Sequence, residues 1–559
     1  MGRLSAIFAS SRIVWLLTSI VGLVAVLLQY RPSQLTNSFS WYRYNWLKCG
    51  ESKSSGDQAI LNFIQWFQDN GGWIHPNISL RTFADYGGKG LFYDTSGSFL
   101  TVGDDYDTEI DYVEEGEAIL VIPELLILSR RKALNLILDC VDDYSSTTSN
   151  EKSTLDESLD DLELMTLALV FESSCSCRGD GRRSGGDGQM PSNSYAPYLD
   201  ILPKPNDTPN LLYTFRDEEL ELLRDKHLLT TAHHTKDRLL FVWKQILSME
   251  RIISTCFIDQ TEVSLTHSQS HQKLWQAFRH YYAVVSSHAM FLDGMYMLVP
   301  MADMINHQPR LRPKSNHTEP ADNSPTNSKS FAHYHYWQER QLENKVLAKE
   351  MVVLADRRIP SGSQVLEEYS TLDNSLYLVS FGFVPVDNPY HCVELLLVVP
   401  LKSNDLRVLL QGIVGDALTM CVRRDLTILD GQEHALDLAL SLVSLDKLED
   451  STRKGACTQE LQLHMKHLLT MNTNGVDLGP CQDILRLTGG TRDSTVWQIM
   501  HDMICASAAA AVETSRSFLA NDKHLLTQRN ATEREILALQ FRIEDVKLLE
   551  QLVKTCDGA

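Results

Sequence analysis

PMADMINHQP, residues 300–309, places Asp303, Asn306 and His307 at the end of an apolar run and just ahead of a polar loop. Side chains of this kind beside a buried segment need partners. Either they cap backbone groups where the chain reverses, or they build a site. About sixty residues on comes EEYSTLDNSLYLVSFGFVPVDNP, residues 367–389, in which Tyr369 ends a strand-like run. A polar turn follows, then an apolar segment running into Phe381-Gly382-Phe383. Upstream, YGGKGLF (86–92) offers glycines whose missing Cβ permits close approach of backbone to a ligand.

The rest of the chain fits around these stretches. GDQAILNFIQWFQDNGGW (56–73) carries apolar residues at Ile60, Leu61, Ile64 and Phe67 between Asp57 and a Gly-Gly stop, the pattern of an amphipathic helix. Short strands are expected from Trp73 to Pro123, ending in EAILVIP (117–123). LDDLELMTLALVFE (159–172), FRDEELELL (215–223), 236–257 and 271–290 read as helices. Strand character returns in KVLAKEMVVLADRRIPSGSQVLEEYS (345–370) and HCVELLLVVP (391–400). Beyond residue 401 the period is mostly helical. In EREILALQFRIEDVKLLEQLV (533–553), Ile536, Leu539, Ile543, Val546, Leu549 and Leu552 are expected to form one buried stripe. The polar stretches 141–158, 173–194 and 308–330 read as surface insertions.

At 559 residues the chain exceeds what one core usually organises. The boundaries read as an N-terminal hydrophobic segment and linker (1–50), a mixed α/β unit (57–390) with a helical insertion at about 150–285, and a helical C-terminal unit (391–559). A formal net charge of -21 argues against nucleic acid as partner, because phosphate binding relies on clustered Lys and Arg. A protein partner, and a basic segment of it, suits an acidic surface better. The eleven cysteines are scattered and odd in number, which is not the pattern of a disulfide framework and fits a reducing compartment.

RIVWLLTSIVGLVAVLLQYRP (12–32) contains sixteen nearly unbroken apolar positions, residues 13–28. As a helix they span about 24 Å, slightly short of a ~30 Å hydrocarbon core. With no convincing small-x-small cleavage site after it, an uncleaved membrane anchor is expected rather than a signal peptide. Cys175 and Cys177, His267 and His271, and His464 and His467 are close pairs with no partner pair at metal-site spacing, so no metal is assigned. The sequons at Asn77, Asn206, Asn316 and Asn530 matter only if the body is luminal.

The ordered series GGKGLF, VIPELLILS, SYAPYLDILP, VVSSHAMF, LVPMADMINH and YSTLDNSLYLVSFGF resembles the SET-domain protein methyltransferases, in the branch typified by the RuBisCO large-subunit lysine methyltransferase. The likeness runs from about Trp73 to Pro389, and the helical C-terminal unit looks like that family's substrate-binding domain. The resemblance implies an α+β SET domain of small sheets with a knot-like core, followed by an all-α unit. It implies a monomeric enzyme that moves a methyl group from S-adenosylmethionine to a lysine of a non-histone protein. A histidine acceptor, or a catalytically silent scaffold that binds a partner, are the alternatives. Methyl transfer to an amine needs close in-line approach and no metal.

By the same resemblance Tyr369 is catalytic, orienting amine and methyl group. Gly88, Lys89, Gly90, Ser287, His288, Asn306 and His307 would hold the cofactor, and Asp303 and Phe381 would line the amine channel, with helix capping as the alternative for Asp303. The series also departs from the family. His288 stands where an arginine is usual, Gly87 where an acidic residue often precedes the glycine strand, Ser370 where glycine follows the tyrosine, and Phe381 where a second aromatic hydroxyl is usual. Cofactor supply places the body in the cytosol, with a plastid stroma as the second choice.

Overall fold

The computed structural model describes residues 56–83, 88–95, 112–142, 155–173, 194–249, 267–309, 334–341, 347–414, 418–428, short stretches between 439 and 458, 494–527 and 531–558. By its internal contacts Lys53–Ala559 forms one compact unit, separate from Met1–Ser52. The apolar run 13–28, Gly87 and most of the three polar stretches lie outside the described residues. Among the described residues no helix is long and apolar enough to cross a membrane.

The first elements are α1 (Gly56–Asp69), β1 (Trp73–Ile74), β2 (Ile78–Phe83), β3 (Gly88–Tyr93), β4 (Tyr112–Val113), β5 (Ala118–Pro123) and β6 (Leu128–Ser129). α1 buries Ile60, Phe63 and Phe67, one face of the amphipathic pattern. Next come α2 (Arg130–Asp142), α3 (Asp161–Ser173), α4 (Ala196–Ile201), α5 (Asp217–Glu221), α6 (Lys226–Ser248) and α7 (His267–His288). α3 is buried from Glu163 through Phe171, so Glu163, the one acid within that buried stretch, needs a partner. Arg238 of α6 supplies it, gripping both Glu163 oxygens at 2.7 Å.

The strands β7 (Met290–Leu292) and β8 (Met295–Leu298) form a hairpin. Asp293 and Gly294 between them have φ of 53° and 79°, the left-handed pair that a two-residue turn requires. β9 (Asn306–His307), β10 (His335–Gln341), β11 (Leu347–Leu354), β12 (Ile359–Pro360), β13 (Ser363–Gln364) and β14 (Leu366–Glu367) follow, then α8 (Asn374–Phe381). The sheets are small: β1-β5-β11-β10, β13-β3-β2, β6-β8-β7, and the pairs β12-β4 and β14-β9. The last pair is parallel, with Leu366 against Asn306 and Glu367 against His307. Because β13 pairs with β3 and β14 pairs with β9, the five residues 363–367 connect the glycine strand to the Asn-His strand.

The C-terminal region is helical, with α9 (Asn404–Val414), α10 (Ser494–Thr527) and α11 (Glu533–Gly558), and it adds a two-stranded sheet of β15 (Cys392–Leu397) with β16 (Leu418–Arg423). α11 serves two cores. Ala538 and Phe541 pack with Leu212, Phe215, Leu220 and Leu378, whereas Leu548, Leu549 and Leu552 pack with the C-terminal strands and α10. The buried face therefore rotates along the helix and includes Glu535, Arg542 and Glu544. This corrects the single stripe expected from the sequence: Ile536 is 56% exposed. The reading of the cysteines is corrected as well. Disulfides join Cys392 to Cys421 across β15 and β16, and Cys505 to Cys556 across α10 and α11. Linear spacing could not show this, because antiparallel pairing alone brings those positions together.

Candidate active site

Tyr369 stands two residues past β14, and the parallel pairing with β9 fixes where it points. Its backbone N–H donates to His307 Nδ1 at 3.1 Å, and its hydroxyl donates to the Ile305 carbonyl at 2.7 Å. Nδ1 of His307 is thus an acceptor, and the neutral ring carries its proton on Nε2. Burial, with the Arg357 charge second, pulls the His307 pKa down to about 4. Burial pushes the Tyr369 hydroxyl well above its ordinary range, with Glu367 and Asp303 adding to the shift. Tyr369 is therefore a fixed hydrogen-bonding group and not a phenolate base.

Around it lies an aromatic box. The ring of Phe381 is 5.1 Å from that of Tyr369, and His307 lies 5.1 Å from Tyr369 and 4.6 Å from Tyr377. α8 positions two of these rings. Asp373 caps its start by accepting from the Leu376 N–H at 3.0 Å, and Gly382 ends it at φ 77°. A Cβ at Gly382 would come within 2.9 Å of the Asn210 backbone, so glycine is required there on two counts.

A cavity of about 1070 Å³ opens beside this box, lined among others by Ser287, His288, Asp303, Ile305, Tyr369 and Phe381. Asp303 sits on a short 3-10 turn, Ala302–Met304, entered through Met301 at φ 78°. That left-handed value is strained for methionine, a kind of strain that clusters at functional sites. The Asp303 side chain caps no helix; it is fully buried. Tyr198 of α4 donates to its Oδ2, and His288 Nδ1 lies 3.3 Å from the same oxygen. Oδ1 has no hydrogen-bond partner among the described residues. Ser287 spends its hydroxyl on its own helix, at 2.9 Å from the Ala283 carbonyl, so it offers backbone to the cavity.

The remaining candidates form a second cluster around the Asn306–His307 strand. Asn306 Nδ2 donates to the Lys89 carbonyl at 3.2 Å. A Cβ on Gly90 would meet Gln364 Nε2 at 2.5 Å and Asn306 Nδ2 at 2.6 Å, so any larger residue there would have to displace both amides. Gly88, Lys89, Gly90, Asn306 and His307 do not line the large cavity, whereas Ser287, His288, Asp303, Tyr369 and Phe381 do. Tyr369 joins the two groups through His307 and Ile305. The Lys89 ammonium lies partly buried beside Lys204; burial first, then that neighbour, lowers its pKa.

Sequence reasoning missed Gln364, whose buried Nε2 has no hydrogen-bond partner, and Tyr198, which holds Asp303. It also missed Glu367, fully enclosed and pushed well above the usual carboxylate range by burial, then by Asp356. Only the register of β13 and β14 could have pointed to Gln364 and Glu367. Tyr198 lay in the quoted SYAPYLDILP but carried no sign of its partner.

No family model matches the chain. Over 192 residues it is 27% identical to the protein-lysine N-methyltransferase EFM1 of Saccharomyces cerevisiae, a match covering 34% of this chain and 26% of the yeast protein. The chain therefore spans about a quarter of the length of the curated relative it matches. Among solved structures it is similar to the SET domain of LSMT bound to lysine and AdoHcy, at TM-score 0.47 and 16% identity, over 90% of this chain and 92% of that one. It is also similar to Rubisco LSMT bound to AdoMet, at TM-score 0.46 and 16% identity, over 89% and 92%.

Proposed function

We propose that this chain is a SET-type protein-lysine N-methyltransferase that uses S-adenosylmethionine. The observation that carries the reading is the junction at Tyr369. The residue lines a cavity with a buried carboxylate and is hydrogen-bonded to His307 and Ile305 at the Asn-His strand, whose Asn306 in turn donates to Lys89 of the glycine strand. The yeast lysine methyltransferase relative supports the same reading.

The residues present fit the cofactor. Gly90 leaves a cradle that a Cβ would fill; beside it Gln364 Nε2 is buried with no hydrogen-bond partner, and His307 Nε2 is likewise buried and unpartnered among the described residues. Gly88, Lys89 and Gly90 with Asn306, His307, Ser287 and His288 would hold S-adenosylmethionine, which supplies an electrophilic methyl group when bound. Asp303 lines the cavity and has one buried oxygen with no hydrogen-bond partner among the described residues, which a cationic amino group would satisfy. His288 stands where a carboxylate would be met, with a shorter reach and fewer donors than arginine. Tyr369 holds its hydroxyl proton on the Ile305 carbonyl and leaves its oxygen lone pairs to orient an incoming neutral amine. The rings of Phe381, Tyr377 and Phe383 exclude water from that approach.

The test is the full chain with labelled S-adenosylmethionine and a protein extract. Label on lysine of a few proteins, rising with pH through the neutral range, is the expected result, because a lysine of pKa near 10.4 must lose its proton first. A histidine acceptor, pKa near 6.5, gives little rise above about pH 7.5. No label at any pH, with no cofactor binding, would point to a scaffold. We propose further that residues 13–28 hold the chain at a membrane with its body in a reducing compartment, the cytosol ahead of a plastid stroma. Retention of the full chain in the pellet after alkaline carbonate washing is expected, with a chain starting at Gly50 released; equal release of both ends that idea.

A further inference from the structure

His501 and Cys505 lie one turn apart on the same face of α10, and the antiparallel α11 brings Cys556 against them. One ligand atom from each falls within 4.8 Å of the other two. The Cys505 sulfur is 3.6 Å from His501 Nδ1 and 3.7 Å from Nε2. In a tetrahedral zinc site with Zn–S near 2.3 Å and Zn–N near 2.0 Å, the edge between sulfur and nitrogen comes to roughly 3.5 Å. The observed separations are of that size, and a turn of the ring aims one nitrogen at the metal position. Two sulfurs on one zinc stand roughly 3.8 Å apart by the same geometry, so the pair joined here as a disulfide has only to open by a rotation at Cβ.

We propose that, with Cys505 and Cys556 reduced, His501, Cys505 and Cys556 bind one zinc ion that clamps α10 to α11. Reduction breaks the S–S bond with two electrons and two protons from a dithiol, which leaves as its own disulfide. Zinc then displaces both thiol protons, giving two Zn–S bonds and one bond from a neutral imidazole nitrogen. Two thiolates neutralise the ion, so the half-buried site gains no net charge. Water takes the fourth position. The Asp502 carboxylate, 3.6 Å from His501 Nδ1, is placed to orient the ring so that Nε2 turns to the sulfurs. Cys556 also sits in the last turn of α11, where the helix dipole favours a cation. Thiolate and imidazole together select zinc over the oxygen-seeking Mg²⁺ and Ca²⁺.

The disulfide and the metal are thus two states of one clamp, and in a reducing compartment the metal state prevails. The experiment takes the full chain, reduced with a phosphine that does not compete for zinc, loads it with zinc, removes the excess and measures metal per chain. One more equivalent than in a Cys505→Ser, Cys556→Ser double variant is expected. His501→Ala should weaken binding tenfold or more, and cobalt in place of zinc should give thiolate-to-metal absorption that the double variant lacks. Should the double variant fail to fold, alkylation of the parent decides: zinc must protect Cys505 and Cys556 from iodoacetamide, as mapped by mass spectrometry. Equal metal in reduced and oxidised parent, or equal alkylation with and without zinc, overturns the proposal.

Discussion

Asp303 and Asp522 are both buried carboxylates, and they are treated in opposite ways. Asp522 of α10 has both oxygens occupied: Arg224 reaches Oδ1 and Oδ2 at 3.3 Å each, and the Arg542 guanidinium of α11 also holds Oδ2. The ring of Phe518 covers Arg224 from the side. Asp303 is met by Tyr198 and His288 on one oxygen only, while Oδ1 is buried with no hydrogen-bond partner among the described residues. A carboxylate that holds helices together is saturated by its neighbours. One left half-satisfied costs stability, and the fold tolerates that where a ligand completes the set.

The largest expected effect breaks the saturated one. Asp522→Ala leaves Arg542 buried without its partner and should cost about 3–5 kcal/mol, read as a lower denaturation midpoint. The same ion pairs set an acid limit. Burial by itself pushes the Asp522 carboxyl up, but the hydrogen bonds and charges of Arg224 and Arg542 outweigh it and the net shift is downward. A depressed carboxyl contributes stability in full above the unfolded value near 3.9, and loses it as pH falls through the folded value. Acid unfolding that is unchanged in the variant would remove Asp522 from that role.

Next in size is Tyr369→Phe, which removes one hydroxyl and leaves every ring contact in place. Methyl transfer should fall by about 10², or roughly 2.7 kcal/mol of barrier, with the melting midpoint nearly constant. Undiminished turnover would mean that another group orients the amine. Asp303→Asn keeps the shape and the Tyr198 bond but removes the charge, and should lower kcat/KM by about tenfold with little loss of stability. The outcome that defeats the comparison is a large stability loss at Asp303 with activity intact, which would make it a second structural carboxylate.

His307 adds a pH signature to the site half. Its folded pKa is held to about 4, so between about pH 6.5 and 4 the unfolded chain takes up the proton first. Stability therefore declines on acidification across that window, by at most about 1.4 kcal/mol per pH unit. His280, bonded to Thr208 at 2.8 Å and lowered to about 4 by burial, contributes a like slope. His307→Gln should reduce the slope without abolishing it. An unchanged slope would show that the ring is protonated in the folded chain.

How much of this was legible follows from the range of the interactions. Tyr369, Asn306 and His307 could be read because each lies in a short motif whose order along the chain mirrors the pairing of β14 with β9. The helices α1 and α3 were legible from period and composition. What escaped depends on contacts distant in sequence. Tyr198 meets Asp303 from 105 residues away. Arg542 finds Asp522 only because α10 and α11 fold back on one another, and this buried charge is also why the stripe drawn through Ile536 misplaced the buried face. The disulfides were hidden for the same reason, since a cysteine carries no mark of its partner.

The smallest effect compares two helix caps of the same chemistry. Asp225 accepts from the Leu228 N–H at 2.9 Å at the start of α6, and Asp373 accepts from the Leu376 N–H at 3.0 Å at the start of α8. Replacing either by Ala should cost about 1 kcal/mol, since each frees one buried donor. The consequences differ because of what each helix carries. α6 lines the cavity with Thr231, Ala232 and Thr235 and packs Leu228 and Ala232 in one cluster with Leu378, but it presents none of the rings that pack on Tyr369. α8 carries Tyr377 and Phe381, which pack against His307 and Tyr369, and its first turn follows the tyrosine by only four residues. Fraying there shifts the ring that faces the amine, and a displacement of this kind is costly to an in-line transfer. Asp373→Ala should therefore lower kcat several-fold at a midpoint equal to that of Asp225→Ala, whose kcat falls less because the turn it frays, residues 226–229, lies ahead of the cavity-lining Thr231 and carries no ring of the box. Equal activity in the two variants would show that α8 does not position the site, and that the box around Tyr369 is held by β14 alone.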